Sequence, residues 1–158
     1  MSPSHQTLSV VEGVFAAFDA HDLDRFRALL ADDAVLTVGG GAQSFVGADA
    51  VVAAVGLTFR LIPDLRVAVT NAFASGPHGV AEVVREGTHT GPVPLPDGSE
   101  SPPTGRAVRL PECVVFEVRA GAVARMTAYA DGLDASRQLG LLPEEGPGGP
   151  APTGGDRT

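Results

Sequence analysis

The sequence predicts an α+β domain whose helices gather on one face of an antiparallel sheet. Three observations carry this expectation. Apolar residues recur at helical spacing from Leu8 as far as Phe59. From Leu65 onward the chain reads as long strand-like stretches separated by Gly- and Pro-containing turns. Finally, Arg106–Gly140 reads as a long β-hairpin, Val108–Arg119 and Ala122–Ala130 about Ala120-Gly121, followed by a short helix ending in Gln138-Leu139-Gly140.

Each element has its own signal. Residues 1–6 look frayed, and Leu8, Val11, Val14, Phe15 and Phe18 then mark an amphipathic helix to about Ala20. Asp22 is placed to cap a second helix with Leu23, Phe26, Leu29 and Leu30 inward, so Ala20-His21-Asp22 predicts a helical hairpin. Ala34–Val38 is a short strand running into the loop Gly39-Gly40-Gly41. Gly47 precedes a helix over Ala48–Phe59, which Ile62-Pro63-Asp64 stops because the residue before proline resists the helical region. Leu65–Phe73 and Val80–Thr90 are strands about a turn at Ser75–Gly79. The Pro- and Gly-rich connection 91–105 suits a rim loop. The expected domain is residues 1–142, with 143–158 a disordered Pro/Gly-rich tail that has almost nothing to bury.

Composition narrows the function. The chain has 158 residues and a formal net charge of -8, from 11 Lys+Arg against 19 Asp+Glu. That balance argues against nucleic-acid and anionic-membrane partners. One cysteine, Cys113, allows no internal disulfide and no cysteine-based metal site, and its place inside a strand reads as a small buried side chain. The N-terminus has no basic region followed by an apolar run, and no segment reaches the ~20 apolar residues of a membrane span. The expected localisation is cytoplasmic. There is no GxGxxG in a strand-to-helix context, no GxxxxGK[ST], no HExxH and no GxSxG, so no metal or cofactor is expected and a nucleophile elbow is not supported.

Helices laid across one face of such a sheet leave a cone-shaped cavity whose open end suits a small molecule. Several polar residues are candidates to act there. His89, at a strand end beside the rim loop, is a candidate pocket residue, since histidine is a residue type suited to acid or base work at neutral pH. Glu112 interrupts an apolar strand; Leu110, Val114 and Phe116 share its face and favour an inward side chain, unless Pro111 introduces a bulge. Asp131 reads either as a helix N-cap or as a carboxylate at the cavity mouth. Tyr129, the only tyrosine, reads as a core ring or as a hydroxyl that polarises a carbonyl or epoxide oxygen. Glu82 and Glu86 share a face with Val84, at a cavity edge or an interface. Phe18, Phe59, Phe73 and Phe116 are the expected apolar wall, and Asn71 reads either as a donor to a bound carbonyl or as an edge-strand residue.

The layout resembles the SnoaL-like polyketide cyclase branch of the NTF2-like superfamily. The residues that carry this are Phe15, Phe18, His21-Asp22-Leu23-Asp24, Gly87-Thr88-His89-Thr90-Gly91, Pro103-Thr104-Gly105, Tyr129-x-Asp131 and Gln138-Leu139-Gly140, over about residues 8–142. The resemblance implies a cone-shaped NTF2-like barrel, a curved antiparallel sheet wrapped around three N-terminal helices, and a homodimer packed through the sheet. It also implies that the cyclases' acid/base aspartate falls on Ala128, an important histidine on Val114 and a glutamine on Glu112, whereas His89 matches a family histidine.

The leading functional expectation is a cofactor-independent cyclase or isomerase acting on a polyketide-like carbonyl compound. Asp131 or Glu112 would remove a proton alpha to the carbonyl, while His89 or Tyr129 stabilises the enolate oxygen. An epoxide hydrolase or dehydratase of the same fold, and a non-catalytic small-molecule binder, are the alternatives.

Overall fold

The computed structural model describes residues 1–142, so the tail expected at 143–158 lies outside the described residues. Helix α1 (Pro3–Asp19) begins earlier than its apolar pattern suggests. The Ser2 side chain accepts the His5 N–H at 3.3 Å, and Pro3 sits in the first turn, where no intrahelical donor is needed. Val11, Val14, Phe15 and Phe18 are its buried stripe. His21 then adopts φ 54, and Asp22 caps α2 (Leu23–Ala28) by accepting the Arg25 N–H at 2.9 Å, which gives the expected helical hairpin. Helix α2 is short because Leu30 already belongs to strand β1 (Leu30–Val38), paired with Val123. Strand pairing here overrides the helical spacing of Leu29 and Leu30.

Three successive glycines at positive φ turn the chain from β1 into β2 (Gln43–Val46), a short strand the sequence did not signal. Helix α3 (Ala48–Leu61) follows and ends at Ile62, before Pro63. The second half supplies β3 (Arg66–Ser75) and β4 (His78–Thr88), then a two-strand ladder, β5 (Val93–Pro94) with β6 (Glu100–Ser101), inside the rim connection. Strands β7 (Ala107–Arg119) and β8 (Ala122–Ala130) form the closing hairpin. Ala120 and Gly121 both have positive φ, as a two-residue type I′ turn requires.

The main sheet has six strands in the order β2-β1-β8-β7-β4-β3. Two features correct the expected architecture. The sheet is mixed rather than antiparallel, because β1 runs parallel to β8 while every other pairing is antiparallel. It is also open rather than a closed barrel: β2 and β3 are its two edges. Helix α1 packs on β3 and β4 while α2 and α3 pack on β1, so helices cover the inner face between those edges. The result is an α+β fold of helices against a mixed sheet.

Pro111 introduces no bulge. Val84 stays opposite Pro111, and the irregularity of β7 falls between Glu117 and Val118. Pairing of β7 with β8 ends at Glu112, so Pro111 sits where one neighbour has already finished and its missing N–H breaks no ladder bond on that side. A last helix, α4 (Gly132–Gln138), is capped by Asp131, which accepts the Asp134 N–H at 3.0 Å. Gln138 holds α4 to β7 by pairing with both the N–H and the carbonyl of Arg109, at 2.7 and 3.0 Å. No helix among the described residues is long and apolar enough to cross a membrane.

Candidate functional site

Strand parity decides which side chains enter the space between sheet and helices. On β7, Val108, Val114, Phe116 and Val118 are buried, so the even-numbered residues face the helices and Glu112 goes with them. On β4 the inward series is Ala81, Val83, Arg85, Gly87, with His89 continuing it just past the strand end. Arg85 is therefore an inward-facing cation that the reading of motifs passed over. The same alternation that placed Glu112 would have found it.

Arg85 and Glu112 meet. The Arg85 Nη2 donates to Glu112 Oε1 in a short ion pair, with the Glu112 side chain only 7% exposed and the Arg85 side chain 24% exposed. The Phe18 ring lies under the guanidinium, its centroid 5.1 Å from Cζ, and adds a cation–π contact. The Arg85 Nε is buried and has no hydrogen-bond partner.

This pair sits in a chamber with two parts. An inner recess of about 50 Å³ is lined by Phe15, Phe18, Glu112, Val114, Phe116 and Met126 among others. A mouth of about 310 Å³ includes Val38, Gln43, Phe45 and Leu61. Phe18, Leu36, Val55, Arg85 and Ala128 line both parts, so Arg85 stands at the junction. Phe116 meets Phe15 edge-on at 5.8 Å, and Phe59 braces Phe18 from behind at 4.9 Å. Val114 and Ala128 are directly paired across β7 and β8, and both line the recess.

The other residues singled out in the sequence lie elsewhere. Tyr129 (52% exposed) and Phe73 (56% exposed) are on the outer face of the sheet, as is Cys113, which is half-buried rather than buried. Asn71 is exposed there too, and its Nδ2 donates to Glu82 Oε2 at 3.0 Å. Tyr129, Asp131, Glu82 and Cys113 share an open groove of about 540 Å³ across that face. The groove is larger than the chamber, but it is a shallow trough; the chamber is the space walled by aromatic and aliphatic side chains. Glu86 also points outward and pairs with Arg109 at 2.8 Å.

His89 is buried, 3% exposed, in a clasp at the sheet end. Thr104 brings its backbone N–H to Nδ1 at 3.2 Å and its hydroxyl to 3.0 Å, so Nδ1 is the unprotonated nitrogen in this arrangement. The His89 backbone closes the same loop: its N–H donates to the Arg106 carbonyl at 2.9 Å and its carbonyl accepts the Gly105 N–H at 2.8 Å. The flanking glycines are set by close approach. A Cβ on Gly87 would stand 2.3 Å from Ile62 Cγ2, and one on Gly91 only 1.6 Å from the Arg60 carbonyl oxygen. Asp64 completes the clasp by accepting the Thr88 N–H at 2.7 Å, which holds its carboxyl below the usual carboxylate range.

The chamber thus offers one carboxylate and one guanidinium in apolar surroundings. That set suits proton transfer beside a polarised oxygen. Among the described residues, no three His, Cys, Asp or Glu side chains converge into a group able to hold a metal ion.

Comparison with known proteins places this fold. The pattern of the SnoaL-like domain family matches residues 11–126, and the chain belongs to that family. Its structure is similar to that of a candidate SnoaL-like polyketide cyclase from Jannaschia sp. CCS1, at 22% identity and TM-score 0.76, over 89% of this chain and 95% of that one. A candidate polyketide cyclase from Streptomyces antibioticus is similar at 24% identity and TM-score 0.71, over 86% and 99%. An LEH-like epoxide hydrolase from M. tuberculosis is similar at 20% identity and TM-score 0.67, over 87% and 92%. No protein of curated function is detectably similar in sequence.

Proposed function

We propose that this SnoaL-like domain is a cytoplasmic, cofactor-independent cyclase or isomerase acting by general acid–base chemistry on a polyketide-like carbonyl compound. The observation that supports it is the Arg85–Glu112 pair, the charged residues of an otherwise largely apolar chamber. Glu112 takes a proton from the carbon alpha to a carbonyl, and the C–H electron pair moves to the carbonyl oxygen. Arg85 donates to the resulting enolate oxygen. The enolate carbon then attacks a second carbonyl of the same molecule, closing a ring, and Glu112 returns its proton to the alkoxide so formed. Where the carbonyl is conjugated, Glu112 instead returns the proton to the distal carbon of the dienolate, which moves the double bond. Phe18 and Phe116 hold the substrate so that ring closure is effectively intramolecular.

By family resemblance the acid/base aspartate falls on Ala128 and a histidine on Val114. Both positions line the recess here, next to Glu112. The reading is therefore a carboxylate moved from the β8 position to its neighbour on β7. Of the other sequence candidates, His89 serves in this reading as the clasp, while Tyr129 and Asp131 belong to the outer face. A single inward carboxylate favours proton shuttling over a hydrolysis that needs two carboxylates about one water. The outer face, with Phe73, Val115 and Tyr129 exposed, is the proposed seat of a homodimer. Sedimentation equilibrium should give a dimer mass, and a monomer would overturn that part.

The activity is tested by following α-proton exchange of 2-tetralone in D2O by proton NMR. Wild type should accelerate exchange, and Glu112→Gln should lower the rate by about 10²-fold or more. Exchange by Glu112→Gln as fast as wild type rules out Glu112 as the base. A wild-type protein that binds the ketone without exchanging it is the binding protein of the alternative reading.

A further inference from the structure

Arg85 is less satisfied than its partner. Among the described residues its hydrogen-bond acceptor is Glu112, reached through Nη2, and Nε is buried without a partner. A guanidinium carries five donors, so the ion pair leaves it able to bind an oxygen acceptor from a ligand. The position fits this, since Arg85 lines both the recess and the mouth.

The charge balance decides which oxygen. Glu112 already neutralises Arg85, and neither lining contains a second cation. A ligand carboxylate would place an unbalanced negative charge beside Glu112 in a poorly solvated space. The chain's net charge of -8 opposes the same ligand at longer range. A neutral carbonyl oxygen accepts from Arg85 without disturbing that balance. Size narrows the class further: a mouth of about 310 Å³ lies at the small end of the ~300–1,000 Å³ usual for ligand pockets.

We infer that the chamber selects neutral ketones of one or two fused rings over carboxylates, with Arg85 binding the carbonyl oxygen and Glu112 excluding anions by its charge. The inference rests on the reading of the chamber given above, but it concerns binding and stands apart from turnover. It also means that Glu112 has a second role as a selectivity element. Removing its charge while keeping its shape leaves Arg85 as an uncompensated cation, which should invert the preference.

Isothermal titration of the full chain at neutral pH with 2-tetralone, tetralin and tetralin-2-carboxylate tests this. Wild type should bind the ketone at least about tenfold more tightly than either analogue. Glu112→Gln should favour the carboxylate over the ketone by about tenfold. The double variant Arg85→Met/Glu112→Leu, which keeps the chamber neutral, should hold the ketone and the hydrocarbon within about threefold of each other. The inference is overturned if wild type prefers the carboxylate, if it binds none of the three, if Glu112→Gln keeps the wild-type order, or if the double variant keeps the ketone preference. A protein with the expected selectivity and no exchange activity fails the acid–base reading alone.

Discussion

Arg85 and His89 lie four residues apart along one stretch of chain and both turn toward the helices, yet they sit in opposite situations. Protein groups engage His89 at its Nδ1 and on both sides of its backbone, and no open volume adjoins it in the chamber lining. Arg85 has one side-chain acceptor, an aromatic ring beneath it and a cavity beside it. The contrast teaches that burial alone does not mark a site. A buried polar group whose bonds are met by protein fixes structure, and one with donors left over beside open space is placed to meet a ligand.

Substitutions can break this contrast. The largest effect belongs to the clasp: Gly91→Ala drives a Cβ into the Arg60 carbonyl oxygen, so the end of α3 must move or the rim must open. A loss of at least about 4 kcal/mol in urea unfolding is expected, and a near-neutral result would show that the clasp yields easily. Next comes the pair. Arg85→Met leaves the Glu112 carboxylate buried without its partner and should cost about 3–5 kcal/mol. Arg85→Met/Glu112→Leu should recover most of that stability, since both charges leave together. If the double variant is no more stable than the single one, the pair is structural in the way the clasp is. The smallest of the three is His89→Ala, expected to cost about 2–4 kcal/mol through the lost acceptor for Thr104 and the space left behind. At a temperature where that variant stays folded, its 2-tetralone exchange should remain near wild type. A loss there matching that of Glu112→Gln would place His89 in the chemistry and collapse the distinction.

The Gly87–Gly91 motif drew attention in the sequence because a histidine between glycines at a strand end looks like a site. Its glycines are fixed by contact with Ile62 and Arg60, on a segment far from them in sequence. No local pattern announces such an approach. Glu112 was legible because its neighbours two residues away are apolar, and Asp131 was legible as a cap because the strand gives way there to the last helix. Tyr129 and Asp131 keep period-two parity with each other, but Ala128, not Tyr129, faces the recess. A strand's sequence gives its two faces; which one meets the helices depends on pairing.

The start of α2, the hairpin turn at Ala120-Gly121 and the two alternating faces of β7 were determined by the sequence itself, because caps, turns and alternation act over a few residues. The parallel seating of β1 against β8, the open edges of the sheet and the meeting of Arg85 with Glu112 were decided only by the tertiary structure. Those features join residues as much as 93 positions apart, as Leu30 is from Val123, and a contact between distant segments exists only once the register of the strands between them is set.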